Sequence, residues 1–202
     1  MAYEFGKQIW DGLLADIGNE YGVAGVMGNL RAESGLIPYR LQNDFSEGYA
    51  NSLTYTQQVD SGVVSESEFV NRELGYGLAQ WTYHTRKQGL YDMKQSMGVS
   101  IGSVELGIAY LLYELKNDYP GVYSTLKGAS SVRQASDSFL HDFESPADQS
   151  VSVEEQRASF GVEFYNEYSG SEPITPNNPS TKSKNKGYNF ILFNRNRNRS
   201  IV

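Results

Sequence analysis

The chain has 202 residues, with 17 Lys and Arg against 24 Asp and Glu and a net charge of −7, a length that builds one good core with room for a tail. It has no cysteine, and its only histidines are His84 and His141, so disulfides, thiol nucleophiles and zinc–thiolate sites are excluded and no metal or cofactor is expected. No run approaches the roughly 18 consecutive apolar residues of a membrane span, and the N-terminus lacks the basic and apolar regions of a signal peptide.

In chain order, Ile9, Leu13, Leu14 and Ile17 recur at helical spacing and predict a first helix that dissolves at Gly18 and Gly22. Val23, Val26, Met27 and Leu30 predict a second from about Val23 to Ser34, with Gly35 as its stop and Pro38 beyond. Residues 36–75 are polar and carry no strong period; a short helix around Thr54–Asp60 and a hairpin are the elements they admit. The turn Gly75-Tyr76-Gly77 ends that segment. Leu90, Met93 and Met97 predict a third helix ending at Gly98. Val104, Ile108, Leu111, Leu112 and Leu115 make the strongest apolar stripe, read as the central buried helix. Val132, Ala135, Phe139, Leu140 and Phe143 predict another, stopped by Pro146. The last helix opens on the capping-box pattern Ser152-Val-Glu-Glu155 and carries Phe160, Phe164 and Tyr168 before Gly170.

Beyond it the composition collapses. Residues 171–186 are mostly Ser, Pro, Asn, Thr and Lys, which reads as a linker. A tail, residues 187–202, follows with Tyr188, Phe190, Ile191, Leu192 and Phe193 and then an Arg-Asn alternation. Lys182, Lys184, Lys186, Arg195, Arg197 and Arg199 supply six of the 17 basic residues, and no acid follows Glu172. Residues 1–172 therefore carry 11 basic groups against 24 acids, a net −13. So acidic a body disfavours nucleic acid as partner, because phosphate contacts supply most of that affinity. The expected layout is a mainly α-helical α+β domain over residues 1–170, a linker, and a short basic tail.

Glu33 is the most informative residue. It lies three residues after Leu30 and seven after Val26, so it continues the apolar face of its helix. Desolvation and the negative end of the helix dipole both favour the protonated acid there, which suits a carboxyl that must donate a proton to a leaving oxygen. The pattern is that of the general acid in lysozyme, a well-known worked case of this effect. A Glu33 that turns to solvent instead has Arg31 or Arg40 as its ion-pair partner.

Three blocks of sequence accompany it. The first is Gly22-Val-Ala-Gly-Val-Met-Gly-Asn-Leu-Arg-Ala-Glu-Ser-Gly-Leu36, continuing to Leu41-Gln42-Asn43. The second is Gly75-Tyr-Gly-Leu-Ala-Gln-Trp-Thr82, followed by Arg86-Lys87. The third is Phe143-Glu144-Ser145-Pro146, with Arg157 on the helix after it. In order and spacing these blocks resemble the phage tail-type lysozyme family, glycosidase domains of bacteriophage endolysins and tail lysins, over residues 5 to about 168.

The resemblance implies a lysozyme-like fold, bacterial peptidoglycan as substrate, and hydrolysis of its β-1,4 glycan in the muramidase manner with Glu33 as the acid. A glucosaminidase or lytic transglycosylase on the same fold, and an inactive wall-binding or tail module, are the alternatives. It also implies that Glu33-Ser34 faces the Gly77-Leu-Ala-Gln80 turn across a cleft. There Gln80 offers a donor and an acceptor to a sugar, and Trp81 and Tyr83 lie against its ring. Trp81 in the core and Gln80 bonded to backbone are the structural alternatives. Glu144 reads as an ion pair with Arg157 that ties two helices, and Gly28 as close helix packing. Glycosidases that need a second carboxylate place it about 5–9.5 Å from the first. Asp44, Glu47, Asp60, Glu66, Glu68 and Glu73 are available, and Asp44, nearest in sequence, is the candidate; some members of the superfamily need only the one Glu. The basic tail suits an anionic wall polymer or membrane surface. Without a signal peptide, the expected route to the wall is release at host lysis or carriage on a virion tail.

Overall fold

Asn19 opens the helix around which the molecule is assembled. The computed structural model describes residues 3–176. Nine α-helices lie among them: α1 Gly6–Ile17, α2 Glu20–Ser34, α3 Ala50–Asp60, α4 Glu66–Asn71, α5 His84–Met97, α6 Val104–Asn117, α7 Pro120–Gly128, α8 Val132–Ser138 and α9 Val151–Tyr168. The Asn19 side-chain oxygen accepts from the Tyr21 and Gly22 amides, capping α2. Its amide nitrogen donates to the carbonyls of Lys127 and Ala129, which pins the end of α7 to the same point.

From Gly22 to Leu30 every residue of α2 is buried. Three glycines explain how so many helices reach it. A Cβ on Gly22 would stand 2.2 Å from the Leu126 carbonyl oxygen of α7. One on Gly25 would stand 2.6 Å from Ala135 of α8, and one on Gly28 only 2.2 Å from the Arg157 carbonyl of α9. Gly161 of α9 answers with a close approach to the Ala24 carbonyl oxygen, 2.6 Å from its would-be Cβ. The expected packing role of Gly28 is therefore real. The central helix is α2, not the expected α6: α6 buries one face, with Leu106, Tyr110, Leu111 and Leu115, and leaves Tyr113 exposed.

The α+β expectation needs correction. No strand occurs among the described residues; their β structure is confined to isolated bridges, among them the antiparallel pairs Leu41 with Tyr76 and Tyr76 with Trp81. The segment expected to hold a hairpin folds instead into a 3₁₀ turn, Glu47–Tyr49, followed by α3 and α4. Tyr55 and Val59 bury one face of α3, and Phe69 and Val70 anchor α4. A capping box is formed by Ser65 with Glu68, at the start of α4. Ser152 falls inside α9, whose N-cap is Ser150. Pro120 opens α7, a helix that the apolar spacing did not predict.

The helix expected over Val132–Phe143 is two pieces. After α8 the chain widens into a π-turn, Phe139–Glu144, closed by Ser145 in the left-handed region at φ 46. The Ser145 amide donates to the Leu140 carbonyl at 2.8 Å. After α9, Ile174 turns back and is buried, exchanging hydrogen bonds with the side chain of Asn166. No helix of the described residues is long and apolar enough to cross a membrane. The basic tail, with its expected role at an anionic surface, lies outside the described residues.

Candidate active site

The C-terminus of α2 and the Gly-x-x-Gln turn are knitted together by backbone. Gly35 ends α2 in the left-handed region, at φ 65. The chain then runs to Arg40 and Gln42, which pair with Gly77 and Gly75: Gly77 N donates to Arg40 O at 2.8 Å, and Gln42 N to Gly75 O at 2.8 Å. The Gln42 side-chain oxygen accepts from Gly75 N at 2.9 Å. Gly77 has φ 79, and a Cβ there would meet the Trp81 ring at 2.9 Å, so only glycine serves. Gln80 itself sits at φ 49, and its amide donates to the Arg40 and Gly77 carbonyls. The amide nitrogen of Gln80 thus holds the turn to the loop after Glu33.

Glu33 is partly open, with its side chain 24% exposed, and its Oε1 accepts from Arg157 Nη2 at 2.7 Å. Arg157 comes from α9, brought in by the Gly28 contact one turn earlier on α2. Its Nη1 donates to Glu144 Oε2 and to Asn29 Oδ1. The expected Glu144–Arg157 ion pair is present. Neither Arg31 nor Arg40 serves Glu33: Arg31 pairs with Glu163 and stacks on Phe160, and Arg40 lies over the Tyr49 ring. Asn29 is wholly buried, and its amide binds the Gly25 carbonyl and Ser136.

Glu144 is only 5% exposed, and its Oε1 is buried with no hydrogen-bond partner. Burial pushes its carboxyl well above the usual range; the neighbouring charge of Glu33 adds to this, and Arg157 opposes it. Two acids therefore share one guanidinium where α2, α9 and the π-turn meet.

The other expected residues fall elsewhere. Asp44 is buried and accepts four hydrogen bonds, from the backbone and hydroxyl of Ser46 at 3.0 and 2.6 Å and of Ser52 at 2.7 and 2.5 Å. Burial works against its charge, but these bonds outweigh it and hold the carboxyl far below the usual range. Trp81 is 1% exposed, its ring edge-on to Tyr110 and its indole N–H donating to Glu114 at 2.7 Å. This corrects the expectation of a sugar platform: neither ring face is open. Asp60 is tied to Lys94, Ser100 and the Ile101 amide. Tyr83 alone of the expected binding residues stands free, 74% exposed. It borders a polar cleft of about 510 Å³ with Gln42, Asn71, Glu73, Thr82 and His84.

Glu114 and Lys87 are among the buried charges to which the sequence assigns no role. Glu114, 1% exposed, takes a forked pair of bonds from Arg86 at 2.6 and 2.7 Å as well as the Trp81 bond. Its signal was available, since it stands between Leu111 and Leu115 on a buried stripe, as Glu33 does on α2. Lys87 is also buried, donating to the Arg72 and Leu74 carbonyls. Burial and then the Arg72 charge push its ammonium down to about 8.

A helical frame with a solvent-reaching Glu at a helix end, laced to a Gly-x-x-Gln turn, defines a lysozyme-like domain. The family model of the phage tail lysozyme matches residues 4–168, nearly all of the described chain, and the protein belongs to that family. It is thus a peptidoglycan-hydrolysing, lysozyme-like domain. Neither the curated proteins nor the solved structures contain a match to this chain.

Proposed function

We propose that this chain hydrolyses the β-1,4 glycan of bacterial peptidoglycan as a muramidase, with Glu33 as general acid. One observation carries the reading. Of the two acids in the three motif blocks, Glu144 is buried and Glu33 reaches solvent; Asp44, just after the first block, is buried as well. A general acid must come within hydrogen-bond reach of the glycosidic oxygen. In this reading Glu33 protonates that oxygen as its bond to the anomeric carbon breaks, and water adds to the oxocarbenium-like centre. Asp44 serves the loop and not the reaction, its four acceptor positions being filled. Tyr83 and the polar cleft beside it hold the sugar, and Gln80 fixes the turn that leads into Thr82 and Tyr83. The acidic body meets the wall through neutral sugar contacts, and we assign the six basic residues of the tail to an anionic wall polymer or membrane surface. Access to the wall is by release at host lysis or from a virion tail.

The test is Glu33→Gln in a turbidity assay on cell walls. The variant keeps its melting temperature and loses activity by about 10²–10⁴-fold, the usual worth of general acid catalysis. Borohydride reduction of the wild-type digest should yield muramitol. Reduced glucosamine would make the enzyme a glucosaminidase, anhydromuramic ends a transglycosylase, and no release at all an inactive wall-binding module.

A further inference from the structure

Arg157 brings one positive charge to two carboxyls, and among the described residues no other cation pairs with either of them. From α2 comes Glu33 and from α9 comes Arg157 itself. On α8, Arg133 and Asp137 pair with each other, and Arg133 also binds Glu154. His141, on the π-turn with Glu144, faces Gln149 and Glu154, and Lys127 of α7 lies over Tyr123. Arg86 stacks on Phe143 but is held by Glu114.

The buried Oε1 of Glu144 receives no hydrogen bond. As a bare acceptor it is a costly orphan; as an O–H it has a candidate acceptor in Glu33, whose carboxylate is bound to the same Arg157 guanidinium. Resting on the reading of Glu33 as the acid, we propose that Glu33 and Glu144 share a single proton. Glu144 is then a positioning residue that keeps Glu33 in its donating form, with Arg157 matching the one remaining charge. At 5% exposure Glu144 does not touch the glycan. In turnover the shared proton leaves through Glu33 to the glycosidic oxygen as that carbon–oxygen bond breaks. The pair then carries two negative charges against Arg157. When water adds to the anomeric carbon, the proton it releases restores the pair. Burial and the neighbouring Glu33 charge, which both favour a protonated Glu144, agree with this geometry.

The experiment is the pH profile of kcat/KM on soluble glycan fragments, for the full chain and its Glu144→Gln variant. Two carboxyls sharing a proton release the last one late, because losing it leaves like charges side by side. Glu144→Gln removes that repulsion, so the alkaline limb moves to lower pH by about one unit or more. Activity falls about tenfold at neutral pH and much less in acid, and Glu144→Asp restores part of the limb. A uniform loss with the limb unmoved makes Glu144 a strut and overturns the proposal. Should Glu144→Gln not fold, infrared spectra of wild-type enzyme made with carbon-13-labelled glutamate decide it. A protonated glutamate at neutral pH supports the sharing, and its absence overturns it. If Glu33→Gln stays active, the assignment of the acid fails instead, and the infrared result still reads the pair.

Discussion

Gly28 and Arg157 meet backbone to backbone, and this contact places the guanidinium on Glu33. A Cβ at Gly28 would stand 2.2 Å from the Arg157 carbonyl oxygen and 2.6 Å from the Gly161 amide nitrogen. Both are backbone atoms, so no rotamer change relieves the overlap. Gly28→Ala should therefore destabilise the fold by about 2–3 kcal/mol despite the better helix propensity of alanine. It should also cut lytic activity beyond what stability explains, because α9 and Arg157 shift away from Glu33. Gly121→Ala is the control: nothing lies within 4 Å of its would-be Cβ, and its denaturant midpoint should hold or rise slightly. Equal midpoints for the two variants would discard this account of the α2–α9 contact.

Much of this architecture is legible in sequence, and the exceptions have physical causes. Periodicity finds α1, α2, α5, α6 and α9 because each buries a stripe against several neighbours. It misses α4 and finds only the second half of α3, Thr54–Asp60, because their anchors are few, Tyr55 and Val59 in one and Phe69 and Val70 in the other, amid polar residues. Glu33 is legible because a carboxylate on an apolar face is anomalous wherever it falls. Its partner is not, since Arg157 is 124 residues away and reaches it only through a glycine contact. Trp81 is misread for a different reason. A tryptophan beside a sugar-binding motif invites a stacking role, whereas the indole N–H finds a buried carboxylate on α6.

Asp44 makes stability depend on pH. Its folded-state carboxyl lies far below the unfolded value of about 3.9, so its contribution is fully present above that value and is lost as pH falls below it. Asp44→Asn removes the charge and turns an amide donor toward either the Ser46 or the Ser52 amide, itself a donor. At neutral pH the variant should lose about 2–3 kcal/mol, on the order of one or two charge-assisted hydrogen bonds. The gap between variant and wild type should narrow on acidification below about pH 4. Denaturant midpoints across that range test it; a gap that stays constant would mean that ionisation of Asp44 contributes nothing.

Trp81 and Tyr83, two residues apart, should separate cleanly in kinetics. Trp81→Phe empties part of the core and takes from the buried Glu114 carboxylate one of its three hydrogen bonds, leaving the two from Arg86. Loss of about 2–3 kcal/mol in stability is expected, with KM for soluble glycan little changed. Tyr83→Ala, at a side chain 74% exposed, should leave the melting temperature within about a degree and raise KM severalfold. A KM effect from Trp81→Phe with no loss of stability would return the indole to the substrate.

The six basic residues between Lys182 and Arg199 follow an acidic body, and charge alone gives them a testable role. Near an anionic surface each contributes about 1 kcal/mol, an attraction that salt screens over roughly 8–10 Å. The cut that tests this belongs after Pro176, because Ile174 is buried and bonded to Asn166. The shortened chain should keep its melting temperature and its turnover of soluble glycan fragments. Binding to whole walls should weaken most at low salt, where the full-length chain holds best, and the two proteins should converge as salt rises. Wall binding that is unchanged at every salt concentration dismisses a targeting role for the tail. A lowered melting temperature would instead make residues 177–202 part of the fold's stability, since nothing else in the truncated chain has changed.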